Sequence, residues 1–163
     1  MFAIAKIPEG NIISGSIVFT QDPSRGVKVV IQLRSDIFRN TTHGIHIHEK
    51  KITEALLQQE NCCDSLGGHF NPDGYVHGYH AGDLCHNITF NKHGVCFFTY
   101  YDNKISLRPR TTHCIVGRSI IIHEDPDDCG SWLQYFPNMS KIKESLTTGN
   151  SGRRLVCANV VRP

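Results

Sequence analysis

The sequence predicts an all-β chain, a Greek-key β-barrel or immunoglobulin-like sandwich carrying two long functional loops. Three observations point there. Short runs of alternating polarity recur along the chain, 14 glycines and 7 prolines interrupt it too often for long helices, and only one brief stretch has a helical look. With 163 residues, a single domain spanning 1–163 is expected, with room for one core and none for a TIM barrel.

Taken in order, the opening Met1–Ile7 is too short for a signal h-region and has no basic stretch before it, which predicts a cytoplasmic, reducing location. In Ile13–Thr20, positions 13, 15, 17 and 19 face one way and the Ser and Thr residues the other. The turn Gln21–Gly26 leads to the strand-like run Val27–Leu33, and Gly44–His48 follows. Thr53–Glu60 (TEALLQQE) is the one helical segment expected. Val95–Tyr101, Ser119–His123 and Leu155–Val160 complete the strands, with turns at Asn91–Gly94 and Tyr101–Lys104. Residues 49–85 and 124–153 break the pattern, and loops of that length in a small domain usually carry function.

Composition excludes several classes. Lys+Arg 17 against Asp+Glu 15 leaves a net charge of +2, too small to imply a nucleic-acid or membrane partner, and no apolar run reaches membrane-spanning length. The seven cysteines contain no C-x-x-C pair, so zinc-finger and thioredoxin-like readings fail.

Ten histidines require an explanation. In a strand, His46-Ile-His48 projects two imidazoles from one face, about 7 Å apart, close enough to chelate one ion. Such a pair alone fits a satisfied core equally well. His77-x-x-His80-x-x-Asp83, with His69 upstream, places nitrogen and oxygen donors at three-residue steps in a Gly-rich loop, a set suited to tetrahedral zinc. His123 ends the run Ser-Ile-Ile-Ile and adds another imidazole.

Six segments carry a resemblance to the Cu,Zn superoxide dismutases, in that family's order and over nearly the whole chain. They are Gly44-Ile-His-Ile-His-Glu49, Gly68-His-Phe-Asn-Pro72, Ala81-Gly-Asp-Leu84, Gly117-Arg-Ser-Ile-Ile-Ile-His-Glu124, Asp127-Asp128 and Gly149-Asn-Ser-Gly-Arg-Arg-Leu-Val-Cys157. The resemblance implies dismutation of superoxide to O2 and H2O2, with one copper on His46, His48, His69 and His123, and one zinc on His69, His77, His80 and Asp83. Two four-ligand sites need eight donors and seven residues supply them only if one imidazole bridges; by similarity that is His69, catalytic together with Arg154, which faces the anion. Asp127 takes the place of a carboxylate tying His46 to His77, though without the family a solvated loop acid in Asp125-Pro-Asp-Asp is the favoured reading. Cys63 and Cys157 match the family's disulfide, with Cys62 an adjacent competitor. A homodimer is implied, with apolar contact offered by Val116, Gly117, Val160 and Val161, while the copper-loading route, through a chaperone or otherwise, stays open.

The remaining histidines read as structural (His43) or as surface or structural groups (His86, His93, His113). The chain departs from the family in a short His77–His80 spacing and in longer segments at Glu49–Asn61 and Ser131–Thr148. Thr147 stands where a guiding lysine is usual, with Lys141, Lys143 and Arg153 as substitutes. Two rivals remain: a cupin-type iron dioxygenase, which leaves His80, Asp83 and the Gly149–Arg154 motif unexplained, and a non-enzymatic metal buffer, which would be expected to lack some copper ligands or the arginine.

Overall fold

Alternating apolar residues build eight antiparallel strands in a computed structural model that describes residues 1–59, 61–85 and 87–163. They are β1 (Phe2–Ile7), β2 (Ser14–Asp22), β3 (Gly26–Arg34), β4 (Thr41–His48), β5 (Asn87–Phe90), β6 (Val95–Asp102), β7 (Ser119–His123) and β8 (Arg154–Val161). Their order, β5-β4-β7-β8-β1-β2-β3-β6, gives a nearly closed Greek-key barrel in which the connections from β3 to β4 and from β6 to β7 cross between distant strands. Ile17, Phe19, Val29, Ile31, Ile45, Ile47, Phe90 and Ile120 fill the interior and are fully buried. Each such side chain contributes about 1.5–3 kcal/mol relative to exposure.

β4 is buried on both faces. Ile45 and Ile47 enter the core, so the period of two turns His46 and His48 outward, beneath the two long loops. On its other flank β7 pairs with β8, and a bulge at Ile122/His123 sets His123 opposite Arg154. A bulge re-aims the side chains beside it, and here it brings an imidazole and a guanidinium to the same end of the barrel.

The segments 49–85 and 124–153 contain no named strand, but the second differs from expectation. Met139–Thr148 is an α-helix (α2), whereas only Thr53–Glu60 was expected to be helical. Asn138 caps its N-terminus by accepting from the Lys141 amide, and Gly149 ends it in the left-handed region. Its buried stripe is only Ile142 and Ser145, so the apolar period is faint. The expected helix shrinks to α1 (Glu54–Leu57) capped by Thr53, and its last residue, Glu60, lies outside the described residues, as does His86. β1 and β5 are also additional to the strands read from polarity. In β1 the inward residues Ala3 and Ala5 are too small to register as apolar alternation.

Candidate metal centre

His46, His48, His69 and His123 are all buried, and they present four ring nitrogens within 4.8 Å of one another. The outer nitrogen of each of these rings meets an oxygen that can only accept. His46 Nε2 donates to Asp127 Oδ2 at 2.8 Å, His48 Nδ1 to the Gly67 carbonyl at 3.0 Å, and His123 Nδ1 to the Gly152 carbonyl at 3.4 Å. His69 Nδ1 donates to Asp83 Oδ1 at 3.0 Å. Each proton is thereby fixed on the outer atom, and a lone pair is left on the inner one. Those inner atoms, His46 Nδ1, His48 Nε2, His69 Nε2 and His123 Nε2, are buried with no hydrogen-bond partner among the described residues. Four convergent unpartnered lone pairs are costly in a dry interior unless a cation receives them.

Electrostatics agree. Burial, reinforced by the neighbouring His69, holds His46 and His48 well below the ordinary imidazole range and lowers His123 to about 4. Burial also lowers His69, against the pull of Asp83. At neutral pH all four are neutral and ready to donate electron pairs to copper, for which imidazole is a suitable ligand.

The second donor set is organised differently. Nδ1 of His69, His77 and His80 converge on Asp83 Oδ1 at 3.0, 3.3 and 3.1 Å. Oδ2 of the same carboxylate accepts from the amides of Gly78 (2.8 Å) and His80 (2.9 Å), which fixes its orientation. Three imidazole nitrogens and one carboxylate oxygen at a common point suit tetrahedral zinc. Burial pushes the His77 pKa down, but the carboxylates on its two sides, Asp127 and Asp83, outweigh it and raise the value to about 9. Burial also opposes the Asp83 charge, yet the three imidazole hydrogen bonds win and hold its carboxyl far below the usual range.

Asp127 straps the two sets together. Its Oδ2 accepts from His46 Nε2 and its Oδ1 meets His77 Nε2 at 2.7 Å. Sequence reasoning missed what holds Asp127. Asn87, at the start of β5, clamps its backbone twice: the Asn87 side-chain amide donates to the Asp127 carbonyl (2.9 Å), and the Asp127 amide donates to Asn87 Oδ1 (2.7 Å). Gly149, at φ +70°, lies so close that a Cβ there would strike Asp127 Oδ1 and His77 Nε2.

Beside the four lone pairs is a cavity of about 130 Å³ lined by His48, Gly68, His69, His123, Thr148, Ser151, Gly152 and Arg154. At roughly 30 Å³ per water molecule, that volume has room for a diatomic anion with a few waters. Arg154 is aimed by carbonyls: Nη1 donates to Cys63 (2.8 Å) and Asp64 (3.4 Å), and Nη2 to Gly67 (2.6 Å). Arg153 points away, with an exposed side chain in a two-point ion pair with Glu124 at 2.7 and 2.8 Å. Lys141, Lys143 and Thr147 are exposed on α2, and Thr148, not Thr147, lines the cavity.

Cys63 and Cys157 form a disulfide across 94 residues, and Cys62 remains a free thiol. That link ties the loop carrying the Arg154-binding carbonyls to β8. His43 sits in the wall of the centre, donating from Nδ1 to the His123 carbonyl and accepting at Nε2 from Thr41 Oγ1, each at 2.9 Å. His113 pairs with Asp73 at 2.8 Å, and His93 is exposed, both away from the centre. Val160 is fully buried in β8 and Val161 faces out, because adjacent strand residues alternate, so Val160 is removed from the apolar contact expected at the surface.

Against known protein families, residues 13–160 match the one described as copper/zinc superoxide dismutase. A curated relative, "Superoxide dismutase [Cu-Zn]" of Paramecium bursaria Chlorella virus 1, is 35% identical over 153 residues, which span 90% of this chain and 71% of that protein. Among solved structures, the crystal structure of the clock protein EA4 superposes with a TM-score of 0.81 at 31% identity, covering 98% of this chain and 93% of that one.

Proposed function

We infer the working parts of a protein that belongs to the copper/zinc superoxide dismutase family: His46 Nδ1, His48 Nε2, His69 Nε2 and His123 Nε2 hold copper, while Nδ1 of His69, His77 and His80 with Asp83 Oδ1 hold zinc. The enzyme converts two superoxide ions and two protons to O2 and H2O2. Copper when bound supplies the one-electron exchange, and zinc, which has no redox chemistry, supplies fixed loop geometry and polarisation of the shared imidazole. One copper and one zinc per chain follow from the two donor sets.

The chain's own groups do the rest. Arg154, held by three carbonyls at the edge of the cavity, attracts the anion and orients it toward the ion position that His48 and His123 would hold. His69 lines the same cavity, and whenever its Nε2 is not engaged by copper that atom would hold a proton and give it up beside the substrate. Asp127 keeps His46 and His77 in register across the two sets. The observation that carries the assignment is the convergence of four buried imidazole nitrogens without hydrogen-bond partners among the described residues.

The family likeness and the chemistry of the surface support three further parts of this reading. A homodimer would use Val116, Gly117 and the outward-facing Val161, and sedimentation at micromolar concentration tests it. Five free cysteines beside one disulfide favour a reducing, cytoplasmic location. The role is antioxidant defence. Metal analysis combined with a superoxide-consumption assay tests the whole. One copper and one zinc per chain, with activity lost on copper removal and regained on its return, is the expected outcome. Activity indifferent to copper would overturn it.

A further inference from the structure

Away from the histidine centre, three sulfurs converge. Those of Cys62, Cys63 and Cys157 lie within 4.8 Å of one another, and all three residues are partly exposed. Cys62 has no part in dismutation, yet its Sγ sits 4.0 Å from Cys157 Sγ, beside the bond that joins Cys157 to Cys63. A free thiol so placed can do one of two things: attack the disulfide, or join its sulfurs around an ion.

The geometry separates these. Attack requires the incoming sulfur to lie in line with the bond it breaks, which would hold the two outer sulfurs about 6 Å apart. Cys62 and Cys63 are within 4.8 Å, so the three sulfurs form a triangle and not a line. A triangle suits chelation, because metal–sulfur bonds of about 2.3 Å from a common centre place sulfurs about 4 Å apart. Cys62 and Cys157 already stand at that separation.

We propose that reduction of the Cys63–Cys157 disulfide opens a three-thiolate site, Cys62, Cys63 and Cys157, for monovalent copper. A thiol reductant supplies the two electrons and is itself oxidised to a disulfide, leaving thiols on Cys63 and Cys157. Binding one monovalent copper then displaces the three thiol protons with no change of oxidation state. Thiolates are soft ligands and favour this ion over the hard cations of the cell. Arg154, bonded to the carbonyls of Cys63 and Asp64, places a positive charge beside the developing thiolates. Copper in this site withholds both partners of the disulfide, so the loaded thiolate site and the closed disulfide exclude each other.

The test uses the copper- and zinc-loaded enzyme. Its disulfide is reduced, the reductant removed under nitrogen, and monovalent copper titrated against bicinchoninate as competitor. One further copper per chain is expected, protecting Cys62, Cys63 and Cys157 together from alkylation. Cys62→Ser should weaken that binding by at least about tenfold, since even an outer-shell partner is worth that much. The same variant, reoxidised, should retain its disulfide and its superoxide rate, which shows that it is folded. No further copper, copper that protects the exposed Cys129 instead, or unchanged affinity in Cys62→Ser would each overturn the proposal. So would a Cys62–Cys157 disulfide on reoxidation, which would make exchange the chemistry of this thiol.

Discussion

The donors assigned to copper hang mainly from strands, and those assigned to zinc from a loop. His46 and His48 project from β4 and His123 from β7, with β4 paired to β7 through both histidines and to β5 just before them, over Thr41–Gly44. His77, His80 and Asp83 belong to no strand, and one carboxylate gathers three imidazoles and two amides to order them. The charge states differ in the same sense. Burial keeps the first set neutral, whereas carboxylates on two sides hold a proton on His77. On this assignment a redox ion would meet a neutral cage borne mainly by strands, while a structural ion would replace a proton and complete a loop. His69 belongs to both, bridged to β4 by its pairing with His48.

The largest effects should come from breaking one half at a time. His123→Ala should abolish copper binding and activity while leaving zinc, because His123 is absent from the zinc set. Asp83→Asn should release zinc and loosen residues 62–85 while copper is retained on three strand-borne imidazoles and His69. Metal analysis in which both variants lose the same ion would collapse the distinction between the halves.

Next in size is the cavity. Arg154→Gln should cut the superoxide rate about 10- to 100-fold with metal content unchanged, since a charge-assisted hydrogen bond is worth roughly 1.5–3 kcal/mol. Arg153→Gln should cost far less, because its guanidinium is exposed and already engaged by Glu124. Rates measured at two salt concentrations sharpen this, as steering of an anion falls with ionic strength. If Arg153→Gln proves the more damaging change, the anion site is misassigned.

The smallest effect is a slope. In metal-stripped protein His77 titrates near 9, above the ordinary 6.5, so at neutral pH it carries a proton that zinc must displace. Zinc affinity should therefore rise about tenfold per pH unit from 7 toward 9 and flatten above. Copper binding without zinc should show no such slope there, because His123 titrates near 4 and holds no extra proton above about pH 5. Competition titrations across that range check both, and parallel slopes would contradict the contrast.

What the sequence disclosed divides along the same line. A period of two is enough to place His46 and His48 on one face, and three-residue steps are enough to group His77, His80 and Asp83. Which nitrogen each ring turns inward is invisible in sequence, because it depends on acceptors far along the chain, such as the Gly67 carbonyl for His48 and the Gly152 carbonyl for His123. The Asn87 clamp was hidden for a related reason: it grips backbone 40 residues away, and backbone has no letter. Helix α2 was obscured by its own composition. Its inward stripe is Ile142 and a serine, and Ser145 is buried because its hydroxyl donates to Asp128. Val160 was misjudged as surface because adjacent valines look alike until the strand's phase is known.

Anomalous scattering at the copper and zinc absorption edges, from a crystal of the fully loaded protein, tests the division of the centre most directly. The account predicts two separate peaks joined only through His69. Copper should lie near 2 Å from His46 Nδ1, His48 Nε2, His69 Nε2 and His123 Nε2, and zinc at about 2.0–2.2 Å from the Nδ1 atoms of His69, His77 and His80 and from Asp83 Oδ1. A single mixed peak, copper among the loop donors, or His46 bound through Nε2 with Asp127 displaced would contradict it.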